Sequence, residues 1–314
     1  MPTRPTADEV EAIAARFVIL RDQRPLDADL RADIEAWTEL DDRHKGALLS
    51  AEASWAALDF IGDDGVDETQ LRKRWPAFLA GGAATGIAAM LALFFIPPSA
   101  DTTQFSTMKG EMRRIPLADM SSAIVSSNSK VVTRFTPEVR TVELVDGEAW
   151  FKVVKNPSRP FVVERGSFRI QAVGTAFSVA DEDKGEAVRV LVTEGIVKVW
   201  NTEHPERVIR VAKGSGVRMN KNGSDTVIAS SADEVDRKLS WRTGRLELAG
   251  EPLSYAIAEM NRHNRMTIHV GNAKIADKKL YGAFRLDDPE GFARTAADVL
   301  DVQVRTQQDS IDLY

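Results

Sequence analysis

Apolar positions along the chain fall into four regimes, each predicting a different kind of structure. In the first, Val10, Ile13, Ala14, Phe17, Val18 and Leu20 recur at helical spacing behind Thr6-Ala7-Asp8-Glu9, a capping-box pattern. Leu30, Ile34, Trp37 and Leu40 mark a second helix begun near Asp27 after Pro25. Leu48, Leu49, Trp55, Leu58 and Phe60 carry the pattern on to the Gly/Asp-rich stretch IGDDGVDE. Residues 1–70 therefore read as an all-α domain of three or four helices, with a core that is small and marginal alone.

The second regime has no period because it has no polar face. From Ala77 to Ile96 the chain uses only Ala, Gly, Thr, Ile, Leu, Met and Phe. At about 1.5 Å per residue such a helix covers about 30 Å, the thickness of a bilayer's hydrocarbon core. Arg72, Lys73 and Arg74 crowd one end, whereas the next cation past the other end is Lys109. That asymmetry predicts a single transmembrane helix over 77–96 with its N-terminal side in the cytoplasm. Trp75 stands where an interfacial aromatic belongs, and Pro76 and Pro97 bracket the span. The run lies too far from residue 1 to read as a secretory signal.

Beyond the span the period drops to two. TVELVDGEAWFKVV, RPFVVERGSFRIQAVGTAFSVA, AVRVLVTEGIVKVW and RVIRVAKGSGVRMN alternate apolar and polar residues between Gly, Asn, Asp and Pro. They predict one all-β domain of antiparallel hairpins over 101–232. From Trp241 strand and helix patterns alternate: RLELA, then PLSYAIAEMNRH as helix, MTIHV, KLYGAF, DPEGFARTAADVLD as a second helix, and VQVRTQQ with SIDLY. This predicts a small α+β domain over 241–314, built as two βαβ-like units.

Charge sharpens the partition. Residues 1–70 carry seven Lys/Arg against seventeen Asp/Glu, a net of −10, while the whole chain carries −6. An acidic domain beside an anionic leaflet is repelled by lipid and by nucleic acid, and it suits a basic protein partner. The absence of cysteine removes disulfides, thiolate metal sites and Cys nucleophiles.

Candidate chemistry is sparse. Of four histidines, His263 and His269 stand six apart with no carboxylate at metalloprotease spacing, and both read as surface or edge-strand residues. KGSGVR lacks a nucleophile elbow, so its glycines read as a hairpin turn. No cofactor or metal is predicted. Gly174-Thr175 stands apart, because a Thr hydroxyl can attack the preceding carbonyl where the peptide is held distorted; the alternative is a Gly bulge in a strand.

These strings resemble the FecR family of transmembrane sigma-factor regulators along nearly the whole chain. The family's GEAxF, RPFxV and GTxFxV elements stand at Gly147, Glu148, Ala149, Phe151, Arg159, Pro160, Phe161, Val163, Gly174, Thr175, Phe177 and Val179. VTEGIVKV matches its EGxVxV at Glu194 to Val199, and AWTELDDRHKGALLSAEASWAAL is similar to its N-terminal domain. The tail WRTGRLELAGEPLSYAIAEMNRHNRMTIHV resembles the short domain shared by secretins and TonB-dependent transducers. The resemblance implies an anti-sigma factor of the bacterial inner membrane. Its cytoplasmic helices would hold an extracytoplasmic-function sigma factor, with Phe17, Trp37 and Trp55 as candidates for sigma contact or for the domain's own packing. Its periplasmic domains would sense the signalling domain of a TonB-dependent outer-membrane receptor, and intramembrane and periplasmic proteases would release the cytoplasmic piece. Some members cut themselves at a Gly-Thr bond, which Gly174-Thr175 matches. One departure stands out: where the family has LxDGS, this chain has Leu117-Ala118-Asp119-Met120-Ser121, without the turn glycine. The rival reading is a membrane-anchored sensor or scaffold whose cytoplasmic domain binds a partner other than a sigma factor.

Overall fold

A computed structural model describes residues 6–23, 28–60, 101–271 and 273–314. The predicted span over 77–96, its glycines, and Arg72, Lys73 and Arg74 lie outside the described residues. Among the described residues no helix is long and apolar enough to cross a membrane.

Among the described residues the N-terminal unit has three helices, α1 (Ala7–Gln23), α2 (Ala28–Glu39) and α3 (Asp42–Phe60). The capping box forms as its spacing predicts. The Glu9 N–H donates to Thr6 Oγ1 at 3.3 Å, and the Thr6 N–H donates to Glu9 Oε2 at 2.8 Å. Val10, Ala14, Val18 and Leu30 are buried, and Arg21 pairs with Glu52 at 2.5 Å between α1 and α3.

Residues 101–229 form two packed seven-stranded sheets. The first runs β1 (Asp101–Ser106), β4 (Lys130–Phe135), β5 (Arg140–Asp146), β7 (Phe161–Arg165), β8 (Phe168–Ala172), β11 (Ile196–Asn201), β12 (His204–Ala212). The second runs β14 (Thr226–Ala229), β13 (Ser215–Asn220), β10 (Ala187–Glu194), β9 (Ala176–Glu182), β6 (Glu148–Lys152), β3 (Ser122–Val125), β2 (Arg113–Pro116). Hairpins alternate between the sheets as the chain advances. One pair departs from the predicted antiparallel pattern: β5 and β7 are parallel, because the chain lays β6 into the opposite sheet between them. The turn at Lys213-Gly214 likewise carries the chain from one sheet to the other and closes no hairpin, since β12 and β13 belong to different sheets.

Alternation places Val131, Val142, Leu144, Phe151, Phe161, Val163, Ile170, Phe177, Val190 and Val199 between the sheets. Phe151, Phe161 and Phe177, one from each family string, meet there with ring centroids 5.6 to 6.5 Å apart. The strings are therefore largely a core.

The C-terminal module opens with α4 (Ala232–Lys238) and a 3-10 turn over Ser240–Thr243. It continues through β15 (Arg245–Pro252), α5 (Leu253–His263), β16 (Thr267–Val270), α6 (Ala273–Ala276), β17 (Lys279–Arg285), α7 (Pro289–Leu300), β18 (Val304–Thr306) and β19 (Ser310–Leu313). The strands and the two longer helices fall where the pattern predicts them, α4 and α6 were not predicted, and the two βαβ units do not form. β15 pairs antiparallel with β17, and β16 pairs parallel with β19, so strands of one half pair with strands of the other. Periodicity specifies a strand and one buried face; it carries no information on which distant edge completes the ladder.

The second sheet is covered on both faces. Its inner face makes the sandwich core. Its outer face presents Ile124, Glu148, Trp150, Ser178, Arg189 and Leu191, and the C-terminal module packs onto it in a core that includes Trp241, Leu253, Met260 and Phe292.

Candidate functional site

Three places gather the residues that sequence reasoning singled out, together with some that it missed. The first is in the helices. Phe17 and Trp37 lie with ring centroids 5.4 Å apart, and His44 stacks on Trp37 at 4.4 Å. His44 is buried, and its Nδ1–H donates to the Trp37 carbonyl at 2.7 Å. The stack thus pins α2 to α3, and two of the candidate contact residues belong to the unit's own packing. The side chain of Trp55 lies outside the described residues. Instead, Leu40 (76% exposed) and Leu49 (66% exposed), both among the apolar positions that marked the helices, face solvent.

The second is the crossing from β8 to β9, where the chain changes sheets through Gly174-Thr175. This is no strand bulge. A Cβ on Gly174 would stand 2.6 Å from Lys155 Cβ and 2.8 Å from its Cα, so only glycine fits. Gly195, at φ +75°, closes over the Thr175 methyl, where a Cβ would fall 2.8 Å away. The Thr175 carbonyl accepts from the Val153 N–H at 2.9 Å. Its own hydroxyl is buried and has no hydrogen-bond partner among the described residues. A buried orphan hydroxyl forfeits the hydrogen bonds it would make in water, so selection for packing alone would favour valine.

The third site was not visible in the sequence. Glu148, the glutamate of GEAxF, is 2% exposed at the start of β6. Gly147 before it turns at φ +82°, and a Cβ there would overlap Ser129 Oγ, which accepts from the Glu148 N–H at 2.9 Å. The Glu148 carboxylate accepts from Ser178 Oγ at 2.7 Å and Arg189 Nη2 at 3.1 Å in its own sheet. It also accepts from Trp241 Nε1 at 3.1 Å and Arg262 Nη1 at 2.9 Å in the module. Burial alone would push this carboxyl up; Arg189 and Arg262, with the Ser178 hydroxyl and His263, hold it below the usual carboxylate range. His263, expected at the surface, is 7% exposed beside Trp241, and burial pushes its imidazole below the ordinary value. Neither assignment was available from spacing, because the partners stand about a hundred positions apart.

Among the described residues no group of three metal-ligating side chains is placed to hold an ion. The arrangement consists of a packed sandwich, one glycine-clamped turn with an unused hydroxyl, and a charged lock between two domains.

Comparison with known proteins agrees with this architecture. Residues 103–198 match the family model described as FecR protein. No curated protein matches the chain. Two crystal structures of a candidate anti-sigma factor from Parabacteroides distasonis ATCC 8503, at 2.50 and 1.65 Å resolution, superpose with TM-scores of 0.57 and 0.56. They share 24% and 25% identity with this chain, and each match covers 68% of it and 98% of the solved chain. The chain thus carries a FecR domain over residues 103–198, in whose core the three phenylalanines Phe151, Phe161 and Phe177 meet.

Proposed function

We propose that the chain is a single-pass anti-sigma factor of the bacterial inner membrane. Residues 1–70 sequester an extracytoplasmic-function sigma factor in the cytoplasm, and residues 97–314 receive a periplasmic signal. The source of that signal is the signalling domain of a TonB-dependent outer-membrane receptor, and proteolysis then frees the helices. The observation that carries the reading is the FecR domain joined, across an uncharged twenty-residue run, to a helical unit of net charge −10. The likeness to the Parabacteroides chains supports it. An acidic unit can cover the basic DNA-binding surfaces of a sigma factor, and exposed Leu40 and Leu49 supply apolar contact.

One contact opposes the topology. In the structure Ala15 and Val18 rest on Val173, Ile196 and Ala212 at one end of the sandwich, and Glu11 lies 3.7 Å from Lys213. A span over 77–96 would put these faces on opposite sides of a bilayer, so the contact and the topology exclude each other. Because the chain has no cysteine, engineered Lys45→Cys and Glu203→Cys report topology directly. In spheroplasts an impermeant maleimide should label position 203 and spare 45; labelling of both would refute the span. Co-purification of residues 1–70 with a candidate sigma factor tests the function. Binding with reduced reporter output supports sequestration, and no association between folded partners leaves the scaffold reading.

The clamped Gly174-Thr175 turn supports a single-turnover step in the same protein. The Thr175 hydroxyl would attack the Gly174 carbonyl, the amide C–N bond would break in favour of an ester, and water would then hydrolyse that ester. The fragments would stay together, since β6 and β9 pair across the break.

A further inference from the structure

The sandwich and the C-terminal module have separate hearts. No residue beyond Met219 enters the sandwich core, while the module packs Leu246, Leu253, Met260, Phe292 and Ile311 around its own centre. Between the two, the sandwich contributes a small apolar set: Ile124, Leu191 and Ala229, with half-buried Trp150 and Ile228. The rest of the junction is polar. Glu148 takes two hydrogen bonds from its own sheet and two from the module, at Trp241 and Arg262. Ser127 Oγ accepts from the Gly110 N–H at 2.8 Å and donates to the Arg262 carbonyl at 2.9 Å, so this residue is gripped at both its side chain and its backbone. The Arg242 guanidinium lies 5.0 Å over the Trp150 ring. A cleft of about 310 Å³ between Lys109 and Asn128 on one side and Asn261 and Arg262 on the other opens this lock to solvent.

Polar groups regain hydrogen bonds to water when such a junction opens, whereas apolar cores do not recover their burial. An interface held by charge can therefore part while both cores persist. Removing one partner of a buried charge also costs more than the pair contributes, which gives such an interface a sharp release.

The structure assigns Glu148 the role of a release catch: the C-terminal module is a docked cap on the outer face of the second sheet, held through Arg262 and Trp241, and it separates as a folded unit when those contacts break. The catch does not depend on the anti-sigma reading. It supplies the means by which an event at the module would reach the sandwich, since Ser178, which also holds Glu148, lies in the strand that follows Gly174-Thr175.

The test uses the full chain in nanodiscs, with spin labels on engineered cysteines at exposed Glu203 and Arg294; no native cysteine competes. The parent should give one narrow distance distribution. Glu148→Gln and Arg262→Met should each give a broad distribution at longer distance, with amide-exchange protection at Phe151 and Phe177 unchanged. Arg262→Met leaves the contacts of Glu148 with Ser178 and Arg189 in place, so it decides the matter if Glu148→Gln unfolds the sandwich. Narrow distributions in both variants would overturn the proposal. So would broadening in Arg262→Met that appears only together with lost protection at Phe151 and Phe177.

Discussion

Met120 occupies the position where the family's turn carries glycine, and it pays for that backbone with strain. Its φ is +67°, in the left-handed region, and its side chain is 84% exposed, so nothing in its packing offsets the cost. Met120→Gly should stabilise the chain by about 1 kcal/mol, read as a rise in denaturant midpoint at constant slope. The neighbouring Asp119 is a different matter. Its carboxylate accepts from the Ser121 N–H at 3.1 Å and pairs with Arg140 at 2.7 Å, with side chains 4% and 1% exposed. Arg140 in turn donates to the Arg159 and Val154 carbonyls, tying both sheets at this end. Asp119→Ala should cost about 3–5 kcal/mol by stranding the guanidinium, and adding Arg140→Met should recover part of the loss in the same denaturation measurement. The missing glycine was legible in LADMS; the partner of Asp119, on a strand of the other sheet, was not.

At the scale of elements, the Gly174-Thr175 turn separates packing from chemistry. Gly174→Ala forces a Cβ into Lys155 and should destabilise by about 1–3 kcal/mol whether or not the bond breaks. Thr175→Val removes a hydroxyl that has no partner among the described residues, so stability should stay within about 1 kcal/mol of the parent. If the hydroxyl cuts the chain, Thr175→Val should run as one band on a denaturing gel where the parent runs as two. Two bands in the valine variant would place the nucleophile elsewhere. Helices were legible where caps announced them, as at Thr6 with Glu9 and at Asp288 ahead of Pro289. α4 was missed although its signal was present: Ser231 Oγ accepts from the Glu234 N–H at 3.3 Å, and Glu234 reaches back to the Ser230 N–H at 3.1 Å. Seven residues with one buried valine leave too little apolar period to notice.

For the whole molecule, the lock between sandwich and module makes docking depend on pH. The docked carboxyl of Glu148 sits below its ordinary range, so its contribution is complete above that range and is lost as pH falls below it, through the lower docked value. His263 faces Trp241, Glu259, Glu148 and Arg262, and burial holds its imidazole below the ordinary value. Its neutral form favours the docked state, so acidification through about pH 6.5 favours separation. Both signs agree. The distance between labels at 203 and 294 should lengthen first below about pH 6.5 and again below the ordinary carboxylate range, and His263→Gln should remove only the upper stage.

What the sequence determined by itself were features written within a few positions of one another: helical and strand periods, caps and turns, the uncharged run over 77–96 with its flanking cations, and the acidity of the first seventy residues. The family strings also showed which phenylalanines matter, because alternation alone sends Phe151, Phe161 and Phe177 to one face of their strands. Tertiary structure decided which strands pair, that the two expected βαβ units give way to pairing across the halves, that His263 is buried, and that the glutamate of GEAxF joins two domains. The reason is range. A period or a cap is settled by contacts over three or four residues, whereas Glu148 and Arg262 meet across 114 positions. Their meeting depends on the docking of two complete cores, and neither side chain's neighbours in sequence record it.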